Sequence, residues 1–135
     1  MKLIIATPSP FARKARVVLR EKKFNFEEII DVPWNKDTIT KDLNPLGKIP
    51  ILLQQDAEPL YDSNVIVQYL ENLKKSPRMF PLDAKDNIQA RLIEATSDGV
   101  CDAVVLIYLE HSRSKNLQSN AWINRQEKKI YKGIE

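Results

Sequence analysis

The sequence predicts an α/β domain over residues 1–75, a linker over 76–86 and a partial all-helical domain over 87–135. Two observations predict this division. Short apolar runs typical of strands alternate with helical patterns as far as Leu73, which gives the order βαβαββα. After Leu73 the strand-like runs stop, and a proline-containing segment without apolar periodicity leads into long helical patterns.

The first three elements have the pattern of a βαβ unit. The continuous apolar run KLIIA at 2–6 is typical of a short buried strand. Ser9 suits the N-cap of the following helix, and Pro10 suits its first position. The later part of FNFEEIIDV at 24–32 is strand-like. A crossover helix between the two strands predicts parallel pairing.

The rest of the α/β domain is predicted to hold a short helix, a hairpin and a longer helix. Residues 33–50 are irregular apart from a helix around 37–43. The runs ILL at 51–53 and PLY at 59–61 flank a polar segment, so they predict a hairpin. A helix then begins at Ser63. Its predicted apolar stripe consists of Val65, Ile66, Tyr69, Leu70 and Leu73.

Composition excludes several classes of protein. The net charge is only +3, from 21 basic and 18 acidic residues, which gives no nucleic-acid signal. The single cysteine, Cys101, excludes an intrachain disulfide and fits a reducing compartment. The apolar run at the N-terminus is too short for a signal peptide, and Ala103–Leu109 is too short to span a membrane. We therefore expect a soluble cytoplasmic protein without membrane or nucleic-acid partners.

The second region contains two helical patterns, over about 86–113 and 118–134, with Trp122 and Ile130 expected on the inner side. Two helices cannot bury both of their apolar faces alone. We therefore expect a truncated helical domain or one that a partner completes. Asp98 and Asp102 in the first pattern face either a cleft, a second subunit or solvent.

Polar or special residues stand at three predicted strand ends or helix starts. They are Ser9, Pro50 and the pair Asp62–Ser63. In open α/β sheets such ends can gather at one edge, where ligands bind. Each also has an ordinary interpretation. Ser9 can be a plain N-cap, Pro50 a trans turn proline, and the pair can share a capping role.

Three motifs occur in order on this frame: TPSPFARKARVVL, NPLGKIPIL and LYDSNVIVQYLE. Together they resemble the N-terminal domain of cytosolic glutathione transferases, particularly bacterial serine-type members. MFPLDAKDNIQARLIEATSDGVCDA is similar to the linker and first long helix of the second domain in that family. The resemblance implies a thioredoxin-like domain followed by an all-helical domain, and a homodimer.

The resemblance also implies a glutathione site without a metal. Pro50 would be a cis proline, and Ile49 before it would offer its backbone to the cysteinyl part of glutathione. Asp62 and Ser63 would hold the ammonium and carboxylate of the γ-glutamyl end. Lys36 would approach the glycine carboxylate, with Lys48 as a weaker alternative, although each lysine can equally be a solvated loop charge.

Ser9 matches the position of the catalytic serine in some classes of the family. Its hydroxyl would donate a hydrogen bond to the glutathione thiolate, which would then attack a small electrophile. No cysteine stands at positions 8–12, which disfavours thiol–disulfide chemistry. Two alternatives remain open, namely a non-catalytic interaction module of the same fold and a glutathione-dependent reductase or peroxidase.

Overall fold

The computed structural model describes residues 1–135 and divides into two compact units, Met1–Met79 and Phe80–Glu135. The boundary lies within the segment 76–86. The elements of the first unit are β1 (Lys2–Ile5), α1 (Pro10–Glu21), β2 (Glu27–Ile30), α2 (Thr40–Leu43), β3 (Ile51–Leu53) and α3 (Ser63–Leu73).

The sheet of the first unit has the order β2-β1-β3. β1 pairs with β2 in parallel, with Ile4 opposite Ile29. This parallel pairing confirms the predicted βαβ unit. β1 pairs with β3 antiparallel, with Ile4 opposite Ile51. The result is a small mixed sheet of the thioredoxin-like kind.

The predicted fourth strand at 59–61 is reduced to one antiparallel bridge. Leu52 and Leu60 exchange both backbone hydrogen bonds, at 2.8 and 2.9 Å. The next hydrogen-bonded pair in this register would be Pro50 with Asp62, but Pro50 has no N–H to donate. On the other side, the chain turns at Asp56, whose φ is 55°. The hairpin therefore exists, but its ladder cannot lengthen in either direction.

The helix α3 packs against α1, and its buried stripe coincides only in part with the predicted apolar stripe. Of the predicted apolar stripe, Ile66 and Leu70 are buried, whereas Val65 and Leu73 are about half exposed. The residues that are buried share the same helical spacing, shifted around the axis. They are Ser63, Ile66, Val67, Leu70 and Glu71.

The second unit consists of α4 (Ala84–His111), a 3₁₀ turn (Lys115–Leu117) and α5 (Asn120–Ile134). α5 buries Ile123 and Gln126, whereas Trp122 is 41% exposed and does not lie on the inner side as predicted. Many apolar side chains of these helices remain exposed, among them Ile88, Leu92, Ile93, Val104 and Tyr108. None of the helices is both long enough and apolar enough to cross a membrane.

Candidate functional site at the sheet edge

The candidate site lies at one end of the strands of the sheet. β1 and β2 are parallel and end there, while the antiparallel β3 begins there. The register fixes which residues lie side by side across the sheet. One such row consists of Glu28, Leu3, Leu52 and Leu60.

The same register, continued by two residues along each segment, reaches the end of the sheet. There Ile30 and Ile5 are still paired, Pro50 directly precedes the paired residue Ile51, and Asp62 follows the bridged residue Leu60 by two positions. We call this end the sheet edge. Pro50 and Asp62, two of the positions selected from the sequence, therefore stand at this end of the sheet, and Ser9 follows the end of β1 by one turn.

Ser9 begins α1 at the sheet edge. Its backbone N–H donates to the carbonyl oxygen of Ala6 at 3.0 Å, which closes the turn after β1. Its Oγ accepts the N–H of Ala12 at 3.2 Å, so the residue is an N-cap as predicted. Accepting this bond uses a lone pair of the hydroxyl oxygen and leaves the hydroxyl hydrogen available to an external acceptor.

Asp62 and Ser63 have different structural roles at the start of α3. Asp62 is the exposed N-cap, and its Oδ1 accepts the N–H of Asn64 at 2.8 Å. Ser63 is the first helical residue and is 1% exposed. Its Oγ lies 3.4 Å from Asp62 Oδ1, which is long for a hydroxyl hydrogen bond. Lys14 of α1 donates to Asn64 Oδ1 at 2.7 Å and so ties this corner to α1.

The Ile49–Pro50 peptide bond is cis, as the resemblance implied. Pro50 is buried and Ile49 is half-buried. Neither the N–H nor the carbonyl of Ile49 takes part in a backbone–backbone hydrogen bond. These two groups therefore stand at the sheet edge without a strand partner. The Tyr61–Asp62 peptide bond, on the other side of the edge, is cis as well.

Asn44 holds the loop that leads to Ile49, a role that the sequence interpretation missed. Its side chain is buried and accepts the N–H of Leu46 at 2.9 Å, while its Nδ2 donates to the carbonyl of Lys48 at 2.8 Å. Gly47 adopts a φ of 58°, which favours glycine. The signal was present in NPLG, because asparagine side chains often bond the backbone two residues on.

Asp31, directly after β2, is a second residue that the sequence interpretation missed. Its Oδ2 accepts three hydrogen bonds, from Thr38 Oγ1, Thr40 Oγ1 and the backbone N–H of Thr40. Burial opposes the charge of Asp31, but the hydrogen bonds from Thr40 and Thr38 outweigh it and hold the pKa of the carboxyl below its ordinary value. Asp31 is therefore a charged anchor at neutral pH.

The remaining candidates are less constrained. Lys36 and Lys48 are both exposed. In the second unit Asp98 is half-buried and Asp102 is exposed. No group of three or more His, Cys, Asp or Glu side chains is arranged to hold a metal ion.

Residues 8–73 match the family model for the N-terminal domain of glutathione S-transferases. Over its whole length the chain is 37% identical to the uncharacterized GST-like protein YibF of Escherichia coli K12, and it covers 67% of that relative. The chain belongs to the glutathione S-transferase family. This membership agrees with the resemblance found in the sequence motifs.

Two solved members of the family have nearly the same fold. A glutathione S-transferase of Methylobacterium radiotolerans, in complex with glutathione sulfonate, superposes with a TM-score of 0.94 at 42% identity. One from Methylobacillus flagellatus, with glutathione bound, superposes with a TM-score of 0.92 at 40% identity. Each match covers 98% of this chain, which spans 63% and 66% of those two proteins.

Proposed function

We propose that this protein is a serine-type glutathione transferase that binds glutathione along the sheet edge and joins its sulfur to a small electrophile. The observation that supports the proposal is the arrangement of the paired segments: the Ile49–Pro50 peptide leads directly into β3, the Asp62–Ser63 corner follows the bridge at Leu60, and Ser9 follows the turn after β1. Bound glutathione and glutathione sulfonate in the two similar structures support it.

The dimensions of the sheet edge suit a tripeptide. Four adjacent segments with three spacings of about 4.8 Å span about 14 Å. An extended tripeptide spans about 10 Å. The ligand can therefore reach from the outermost segment to the middle of the sheet, or across most of the edge.

Each part of glutathione has a group of matching chemistry in this proposal. The carboxylate of Asp62 takes the γ-glutamyl ammonium, and Ser63 in the first turn of α3 takes the γ-glutamyl carboxylate, which the helix N-terminus also favours. The free backbone groups of Ile49 pair with the cysteinyl residue. Lys36 or Lys48 meets the glycine carboxylate.

Ser9 activates the sulfur. Its hydroxyl hydrogen donates to the thiolate, which stabilises the ionised form and lowers the pKa of the thiol. An ordinary thiol with a pKa of about 8.5 is a few per cent ionised at neutral pH, and a decrease of two units, worth about 2.7 kcal/mol, makes it mostly thiolate. The thiol proton passes to solvent. The sulfur then forms a bond to an electrophilic carbon, and the leaving group departs with its electron pair.

Calorimetry with glutathione tests the binding part of the proposal. Asp62→Asn is the informative variant, because asparagine keeps the N-cap but carries no charge to pair with the ammonium. We expect it to weaken glutathione binding by about tenfold or more, since a hydrogen bond to a charged group contributes about 1.5–3 kcal/mol. Absence of saturable binding to the wild type would indicate an interaction module instead.

Ser9→Ala tests the catalytic part. We expect the pKa of the bound thiol, followed by thiolate ultraviolet absorbance, to rise towards that of free glutathione, and turnover with a model aryl halide to fall. If both stay unchanged, the role given to Ser9 is wrong. A wild-type protein that turns over a hydroperoxide but no aryl halide would instead be a glutathione-dependent peroxidase.

We also infer a cytoplasmic homodimer. The family likeness and the exposed apolar side chains of α4 and α5 support the dimer. The lone cysteine Cys101 suits the reducing cytoplasm. Sedimentation equilibrium measures the oligomeric state directly, and a monomer at micromolar concentration would contradict this part of the proposal.

A further inference from the structure

Asp31 follows β2 and holds together the two ends of the loop 32–39. The backbone N–H of Asp31 donates to the carbonyl of Ile5 at 2.8 Å, so the residue is fixed to the sheet edge. Its Oδ2 accepts from Thr38 Oγ1 at 2.7 Å, from Thr40 Oγ1 at 2.6 Å and from Thr40 N at 3.0 Å. Thr38 and Thr40 are 7% and 0% exposed. One carboxylate oxygen thus joins the two ends of the segment 32–39.

The segment between these ends carries Lys36. Two backbone hydrogen bonds shape it from within, Asn35 N to the carbonyl of Val32 at 3.0 Å and Thr38 N to the carbonyl of Asn35 at 3.4 Å. Lys36 itself is exposed. The position of its backbone therefore depends on the two turns and on the anchored ends of the loop.

The order of segments across the sheet edge says which part of a bound tripeptide would meet this loop. Asp62 and Ser63 stand at one side, Ile49 and Ser9 in the middle, and Asp31 at the opposite side, after β2. A ligand with its γ-glutamyl end at Asp62–Ser63 and its sulfur at Ser9 directs its glycine end towards β2. The Asp31 loop begins there.

We propose that Asp31 is a positioning residue for glutathione, which holds the 32–39 loop so that Lys36 meets the glycine carboxylate. This inference rests on the proposed function and concerns Asp31; it agrees with Lys36, the lysine that the sequence resemblance favours over Lys48. The competing interpretation is purely structural, namely that Asp31 only stabilises the short helix α2 and the fold around it.

Two ligands separate these interpretations, because γ-glutamylcysteine lacks the glycine of glutathione. We expect Asp31→Ala to weaken glutathione binding by about tenfold, which corresponds to a charge-assisted hydrogen bond, and to change γ-glutamylcysteine binding by less than about twofold. Lys36→Met should show the same selectivity. In the double variant the losses should not add, because Asp31 acts through Lys36.

The controls make the outcomes decisive. Asp42→Ala removes an exposed acid of α2 outside the cluster and should leave both affinities unchanged. Thr38→Val removes one of the three hydrogen-bond donors to Asp31 with little change in side-chain shape. If Asp31→Ala does not fold, Thr38→Val replaces it in the test. We expect Thr38→Val to weaken glutathione binding less than Asp31→Ala, again with little effect on γ-glutamylcysteine binding.

Three results would overturn the inference. Equal weakening of both ligands by Asp31→Ala would indicate a structural role only, and unchanged glutathione binding would indicate no role. A wild-type protein that binds both ligands equally well would show that the glycine carboxylate is not contacted, while the proposed function stands. If the wild type binds neither ligand, the proposed function itself is wrong.

Discussion

Replacing Lys22 with methionine is expected to destabilise the first unit by about 4 kcal/mol. Lys22 is fully buried, and its Nζ lies 2.6 Å from Glu71 Oε2. The same ammonium donates to the carbonyl oxygens of Lys74 and Pro77 at 2.7 and 2.8 Å. It therefore joins the end of α1, the side of α3 and the segment that leaves α3.

The magnitude follows from the groups that lose their partner. Methionine keeps the length and apolar body of the lysine stem, so the loss is mainly polar. Removing one partner of a buried ion pair costs about 3–5 kcal/mol, because the other charge stays buried and unpaired. Each carbonyl without a donor costs about 1–3 kcal/mol if water cannot reach it. The two figures overlap, because both include desolvation, so we take about 4 kcal/mol, a roughly thousandfold change in the folding equilibrium.

Urea unfolding followed by circular dichroism measures this loss. The matched control is Lys2→Met, which breaks the surface pair of Lys2 with Glu27, where the side chains are 56% and 64% exposed at a separation of 3.6 Å. Such pairs contribute about 0–1 kcal/mol. The variant Lys22→Met/Glu71→Leu removes the unpaired carboxylate too, and should recover part of the loss. If Lys22→Met destabilises the protein no more than Lys2→Met, the buried pair does not stabilise the fold and the reasoning is refuted.

Further predictions concern the second unit and the pH dependence of stability. A Cβ at Gly99 would meet no atom within 4 Å, so Gly99→Ala should raise the free energy of unfolding by about 0.5–1 kcal/mol in urea titrations. A Cβ at Gly133 would lie 2.4 Å from Val100 Cγ2, so Gly133→Ala should destabilise by about 1–3 kcal/mol, and adding Val100→Ala should restore most of the loss. Equal effects of the two glycine variants would contradict the close helix contact. Burial opposes the charge of Glu71, but the hydrogen bonds from Lys22 and the Met79 N–H, together with the nearby positive charges of Lys22 and Arg78, outweigh it and hold the pKa of Glu71 below its ordinary value. The stabilisation by the Glu71 carboxylate is fully present at pH values above the ordinary pKa and is lost as the pH falls through the lower pKa of the folded state. Urea midpoints should therefore fall in acid, and they should fall less steeply in Glu71→Gln.

The short-range features of the first unit could be predicted because neighbouring residues decide them. Ser9 and Pro10 have the side chain and the fixed φ that begin a helix, so the start of α1 agrees with the prediction. The apolar run of β1 and the crossover length predict a parallel βαβ unit. The positions Ser9, Pro50 and Asp62–Ser63 could be selected as site candidates because they stand where elements begin or end.

Contacts between distant residues could not be predicted in the same way. Two stripes of α3 have helical spacing, and only the position of α1 decides that Val67, not Val65, is buried. Pro50 limits the pairing of a segment ten residues away. Nothing near Lys22 or Asp31 in the sequence indicates that one meets Glu71 or that the other gathers Thr38 and Thr40 on a single oxygen.

The sequence by itself therefore determined most of the elements and their order, the N-cap of α1 and the resemblance to the family. The tertiary structure alone decided which faces are buried, which charges are paired and which polar groups share the sheet edge. The physical reason is that propensities and caps depend on a few adjacent residues, whereas burial and register depend on partners far along the chain.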